Sequence, residues 1–157
     1  MEAHLGLIRK FYTAFATGDA DAMVSCYHQD VTFEDPAFGS LDSEDAPLMW
    51  RMLLSRSNGL KITYHSEWAD GETGGAMWEA HYEFGKNKRQ VHNKISASFQ
   101  FKDGLIVEHI DRFDFWRWSR MALGLPGVLL GWSPIIKSKV RKTVTGLLAN
   151  FKEKQSS

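Results

Sequence analysis

His109 and Asp111 stand two residues apart in a row that is otherwise apolar, because Leu105, Val107, Phe113 and Phe115 share its period of two. A row of that kind turns inward, so an imidazole and a carboxyl would point into the interior. Buried charge is costly unless it is paired or hydrogen-bonded. Two readings follow from the strand alone: a satisfied His–Asp pair at the rim of a sheet, or a polar patch inside a ligand cavity. Other chemistries find less support. The six histidines show neither His-x-His nor His-x-x-x-His spacing, so no metal site is expected. Gly71-Glu72-Thr73-Gly74-Gly75 lacks a following lysine and reads as a turn, not a phosphate loop. Ser119 and Ser133 have no nucleophile-elbow context. Cys26, the lone cysteine, reads as a small buried hydrophobe without a disulfide partner.

The elements that would position the His–Asp pair can be read from periodicity. Leu5, Ile8, Phe11, Tyr12 and Phe15 recur at helical spacing; Gly18 can end that helix and Asp19 can cap a second one running to about Tyr27. A short apolar stretch, Val31–Phe33, leads into Glu34-Asp35-Pro36. Ser43 is a plausible cap for a third helix carrying Leu48, Met49, Met52 and Leu53, with Pro47 in its first turn. After Gly59 the period becomes two. One face takes Ile62, Tyr64, Ser66 and Trp68, and the next strand takes Ala76, Trp78, Ala80, Tyr82 and Phe84. A long strand follows with Val91, Asn93, Ile95, Ala97, Phe99 and Phe101 on one face. Asp103-Gly104 is a hairpin signal before the last strand, which carries His109 and Asp111. Helices first and an antiparallel meander second predict an α+β fold.

Composition sets the outer limits. The chain has 157 residues, 43% of them apolar and 24% charged, which suits one globular domain. Net charge is zero, and Trp116, Trp118 and Trp132 read as packing residues, so no nucleic-acid partner is expected. Charge is uneven, however: Lys137, Lys139, Arg141, Lys142, Lys152 and Lys154 face Glu153 alone in 134–154. In that tail Ile136, Val140, Val144, Leu147, Leu148 and Phe151 make an apolar helical stripe. Covering the pocket mouth or a dimer partner is the expected use; lying on a membrane surface is the less favoured one. The uncharged run Met121–Ile136 is too short to span a bilayer, is broken by Pro126 and Pro134, and reads as a buried lid or tail. Arg9 and Lys10 interrupt the first apolar stretch, so no signal peptide is expected and the cytoplasm is the expected location.

Three stretches carry a family resemblance. Phe11-Tyr12-Thr13-Ala14-Phe15-Ala16-Thr17-Gly18-Asp19 resembles the opening helix of the ketosteroid isomerases and SnoaL-like polyketide cyclases. Cys26-Tyr27-His28-Gln29-Asp30-Val31-Thr32-Phe33-Glu34-Asp35-Pro36 ends in the Glu-Asp-Pro of the steroid isomerases. The segment from Phe99 to Asp111 is similar to the cyclases' final hairpin. The resemblance spans roughly residues 5–115 and implies a cone-shaped, nuclear-transport-factor-2-like (NTF2-like) fold: N-terminal helices on a strongly curved antiparallel sheet. The core would be 1–118, with 119–157 an added helical tail within the same structural unit.

The resemblance also implies roles. Asp35 matches the isomerases' general base, against the plainer reading of an Asx turn before Pro36. Tyr12 matches their oxyanion-donating tyrosine, against the plainer reading of helix-face core. Ala97 stands where those isomerases keep a protonated aspartic acid as second donor, so His109 and Asp111 would have to replace it. Asp111 matches the proposed acid/base of the cyclases, although Ile110 stands where that group usually has Trp. Asn93, Trp78, Ala97 and Phe113 would line the substrate space. The expected activity is acid/base chemistry without cofactor or metal on a hydrophobic carbonyl compound; the alternative is a non-catalytic binding module. A homodimer through the outer sheet face, with Lys94, Ser96, Ser98 and Gln100, is the expected assembly.

Overall fold

The computed structural model describes residues 2–57 and 59–156. The N-terminal helix α1, Glu2–Ala16, buries Ile8, Phe11, Tyr12, Ala14 and Phe15 on one face. Gly18 turns the chain with a φ of 75°, and Asp19 caps α2, Ala20–Ser25, by accepting from the Ala22 N–H at 3.0 Å. Then comes β1, Tyr27–Asp35, followed by the short β2, Gly39–Leu41, and α3, Asp45–Arg56. Four long strands follow: β3, Lys61–Asp70; β4, Thr73–Phe84; β5, Arg89–Lys102; and β6, Leu105–Arg112. Three helices close the chain: α4, Phe115–Leu123; α5, Leu125–Leu130; and α6, Pro134–Ser156.

The six strands form one sheet in the order β2-β1-β6-β5-β4-β3. All neighbours are antiparallel except β1 and β6. That parallel pair departs from a simple meander after helices. Tyr27–Asp35 is a nine-residue strand where the sequence suggests a helix end and a short apolar stretch. It brings the segment before Pro36 into register with the last strand, Phe33 opposite His109 and Glu34 opposite Ile110.

Two β-bulges also move the inner face. On β3 the register shifts between His65 and Trp68, with Ser66 at φ 56°. Ile62 and Tyr64 point inward as their alternation predicts, but Trp68 emerges 50% exposed. On β6 two residues pass one on β5, because Phe101 pairs with Ile106 and Gln100 with Glu108. Ile106 therefore takes the interior and is fully buried, while Leu105 and Val107 are only partly covered. The bulge restores the expected facing by His109. The row also stops sooner than its period suggests. Asp114 caps α4 by accepting from the Arg117 N–H at 3.0 Å, so Phe115 begins a helix. At α3 the cap comes from Asp42, whose Oδ1 accepts from the N–H groups of Glu44 and Asp45, and not from Ser43.

The main core lies between α1–α3 and the concave face of the sheet, with Trp50, Phe11, Phe33, Met49 and Met52 among its most buried members. A second cluster joins Val91, Phe115, Trp118, Ala122 and Val140. The tail stripe packs as its spacing predicts: Val140 and Leu148 are buried, and Ile136, Val144, Leu147 and Phe151 partly so. Lys152 holds Glu44 and Asp45 at 3.2 Å, tying α6 to the start of α3, and Arg141 donates to the Pro36 and Ala37 carbonyls in the loop after β1. The stretch Met121–Ile136 is not a buried lid. Leu125, Leu129, Trp132 and Ile135 are 60–69% exposed.

Candidate active site

His109 is fully buried on the inner face of β6, beside Phe33 of β1 and Phe99 of β5. A chain of hydrogen bonds fixes its ring. The Trp50 indole N–H donates to the Tyr27 hydroxyl at 2.7 Å. The Tyr27 hydroxyl lies 2.8 Å from His109 Nδ1, and His109 Nε2 lies 2.9 Å from Asp111 Oδ1. An indole nitrogen can only donate and a phenol carries one hydrogen. Every hydrogen finds an acceptor when Tyr27 donates to Nδ1 and the Nε2–H donates to Asp111. The Trp78 indole N–H donates to the same Asp111 oxygen at 3.2 Å. Asp111 Oδ2 is the oxygen that neither bond engages. The sequence already pairs His109 with Asp111; the structure adds Tyr27, Trp50 and Trp78 as the groups that orient them.

Tyr12 belongs to the same interior. Its ring packs against Tyr64 at 5.4 Å and Trp78 at 5.9 Å between centroids. Its hydroxyl is buried and has no hydrogen-bond partner among the described residues. Burial first, and the Asp111 charge second, hold that phenol well above its ordinary value of 10.0. Tyr12 is thus a neutral donor with nothing to donate to, its ring packed on the Trp78 that donates to Asp111. A buried orphan of this kind marks a strained spot or an absent partner.

Asp35 ends β1 one step beyond the Glu34–Ile110 pair, which places it beside Asp111 on the neighbouring strand. Both plainer and functional features are present. Its Oδ1 accepts from the Ala37 and Phe38 N–H groups at 2.9 and 2.6 Å, an Asx turn ahead of β2. The residue keeps a partly open face, yet the protein packed around its carboxyl dominates. Desolvation raises its pKa to about 7, with Asp111 adding to the rise and the two N–H groups and Arg141 opposing it. Tyr82 stands close enough to feel the Asp35 charge. Burial first pushes Tyr82 up to about 12, and its oxygen accepts from the Trp118 indole N–H at 2.7 Å.

The proposed lining divides. Ala97 pairs with both Asp111 and Ala76 and is buried in the carboxyl row. Trp78 touches Asp111 directly. Asn93 is buried on the same β5 face, opposite Ala80 and further along the strand. Phe113 lies past the end of β6, partly buried between the two apolar clusters. Sequence reasoning missed Tyr27, Trp50, Tyr82 and Trp118 as polar members, because aromatic rings at core spacing do not announce where their N–H or O–H tips go.

Two open clefts, of about 530 and 420 Å³, lie elsewhere on the surface. Neither is lined by Tyr12, Asp35 or Asp111, and only the second reaches His109. Among the described residues no group of three His, Cys, Asp or Glu side chains could hold a metal ion.

Comparison with known proteins places this arrangement. The model of the SnoaL-like domain matches residues 8–109. The chain belongs to the SnoaL-like family. No curated protein matches it by sequence. Among solved structures, an M. tuberculosis LEH-like epoxide hydrolase is 20% identical with a TM-score of 0.66, covering 82% of this chain and 96% of that one. A putative polyketide cyclase from Xanthomonas campestris is 20% identical with a TM-score of 0.65, covering 76% and 96%. A putative ketosteroid isomerase from Kribbella flavida is 16% identical with a TM-score of 0.58, covering 72% and 78%. These likenesses show the fold, which is NTF2-like as the resemblance implies. The SnoaL-like match ends at residue 109, before α4–α6.

Proposed function

We propose that this SnoaL-like protein is a cofactor-independent acid/base enzyme that moves a proton next to the carbonyl of a hydrophobic substrate, as an isomerase or cyclase does. The observation that carries the reading is the buried, unpartnered Tyr12 hydroxyl, whose ring packs on the Trp78 that holds the Asp111–His109 pair. An enolate oxygen is the partner such a donor lacks, and a donor aimed where charge develops is the strongest device for stabilising it. Asp35 supplies the base. At a pKa of about 7 its carboxylate is strong enough to take a carbon-bound proton and is still populated near neutrality. The C–H electrons move into the carbonyl, Tyr12 donates to the resulting oxyanion, and Asp35 returns the proton it took at a second carbon.

The test works before the substrate is identified. Apolar ketones and enones are incubated with the protein in heavy water, and exchange of their α-hydrogens is followed by NMR. Exchange should appear with the wild type and fall about 10²–10⁴-fold in Asp35→Asn. Equal rates with and without protein across the set would sink the reading. One observation favours binding alone: aromatic rings fill the interior around Tyr12 and the open clefts lie elsewhere. On that reading the protein binds a ligand or partner elsewhere on its surface and exchanges no hydrogens on any ketone.

A further inference from the structure

The exposed apolar surface of this molecule is concentrated in one place. Nine large apolar side chains among the described residues are exposed, and seven of them fall within 116–135: Trp116, Leu125, Val128, Leu129, Leu130, Trp132 and Ile135. They sit on α5 and its two flanks, a tight helical hairpin outside the family match. The hairpin is rigidly built. A Cβ on Gly127 would overlap the Ser119 carbonyl, and one on Gly131 the Ser119 hydroxyl, so α5 lies directly on α4. The side chains left outside are therefore held outside, and a water-facing surface does not carry such a patch without a use.

Charge says what covers it. From Phe115 through Lys152 the chain has seven cations, Arg117, Arg120, Lys137, Lys139, Arg141, Lys142 and Lys152, and no acidic residue. Arg120, Lys137 and Lys139 are exposed within a turn or two of the patch. A second copy docked through this surface would set cation against cation. An anionic partner with an apolar interior complements both features at once. The margins fit as well. Trp132 donates its indole N–H to the Leu129 carbonyl at 2.9 Å, and Trp116 donates to Val128 at 3.3 Å with the Arg120 guanidinium 4.4 Å above its ring. Exposed indole rings with a neighbouring cation suit the boundary between lipid headgroups and acyl chains. Among the described residues no helix is long and apolar enough to cross a membrane, so such an element would lie in the interface and not span it.

We propose that the α4–α5 hairpin, with the first turns of α6, docks the protein on an anionic phospholipid bilayer. Leu125, Leu129, Leu130, Trp132 and Ile135 enter the acyl boundary, and Arg120, Lys137 and Lys139 meet the headgroups. Trp118, on the opposite side of α4, reaches Tyr82 and hence the Asp35 end of the interior. Docking therefore holds that end of the fold next to the lipid phase, where a hydrophobic substrate would be dissolved.

The full chain is sedimented with phosphatidylcholine vesicles with and without phosphatidylserine. Binding should be at least about tenfold tighter with phosphatidylserine, as several basic residues near the surface require, and should weaken as salt is raised. Leu129→Glu and Trp132→Ser should each abolish binding, and Lys137→Glu with Lys139→Glu should remove the preference for phosphatidylserine. Each variant is first checked for an unchanged circular dichroism spectrum, and the charge pair serves if the apolar variants fail to fold. Wild-type protein that stays in the supernatant with phosphatidylserine vesicles overturns the proposal. So does an oligomer that Leu129→Glu splits while vesicle binding is unchanged, since the patch would then be an interface between copies.

Discussion

Tyr12 joins stability and chemistry in one atom. A buried hydroxyl without a partner costs folding free energy, so its removal should relieve the fold and harm the reaction. Tyr12→Phe is expected to raise the unfolding free energy in urea by about 1 kcal/mol while it slows hydrogen exchange on a substrate. A loss of stability would show that the hydroxyl is already satisfied in the unliganded protein. Asp35 makes a second prediction. Its folded pKa of about 7 exceeds the ordinary 3.8, so between those values the native state holds a proton that the unfolded chain has released. Stability then falls as pH rises through that window and levels off above it. Asp35→Asn keeps an oxygen for the Ala37 and Phe38 N–H groups and removes the charge. It should therefore gain on the wild type from about pH 4 to about pH 7, by at most about 4 kcal/mol and less as the open face is screened. Urea titrations at a series of pH values read this directly; parallel curves for the two proteins would contradict it.

At the scale of elements, legibility in the sequence followed periodicity. The inner face of β5, Val91 to Phe101, alternates without interruption, and all six residues are buried as expected. The helical stripes of α1 and α6 are equally plain. Where a bulge inserts one residue, the period slips silently: Trp68 turns outward after Ser66, and Ile106 displaces Val107 from the interior. The parallel contact of β1 with β6 was hidden because it joins segments about eighty residues apart. That contact places Asp35 beside Asp111, so the nearness of the two carboxyls was beyond any local reading, although each residue could be named. The α4–α5 hairpin depends on contact between backbones. Gly127→Ala would drive a methyl into the Ser119 carbonyl and should cost roughly 1–3 kcal/mol. Limited proteolysis should then cut within 124–133 in the variant and spare the wild type; a variant as resistant as the wild type would show that the hairpin has slack.

The whole molecule presents two surfaces of different character. The outer face of β5, with Lys94, Ser96 and Gln100 exposed and Ser98 partly so, lies on the side away from the carboxyl row. Met77 on β4 and Trp68 on β3 add apolar area there. A polar face with a small apolar centre suits a wet, symmetric interface, and we propose that the protein pairs through it. Light scattering should report a dimer at micromolar concentration that Trp68→Glu dissociates; a monomeric wild type would count against it. The apolar hairpin at residues 124–135 remains on a different part of the fold, so pairing and lipid docking could coexist.

At the centre of the proposed chemistry, Asp35 acts as a base in an interior that also holds Tyr12 and Asp111. The most direct measurement is the pH dependence of α-hydrogen exchange in heavy water on a ketone that the protein accepts, for wild type and Asp35→Asn. The rate should rise with pH, bend at about 7 as Asp35 ionises, and drop by about 10²–10⁴-fold with the bend removed in the variant. A wild-type rate with no bend near that pH, or an unchanged profile in Asp35→Asn, would contradict this role for Asp35.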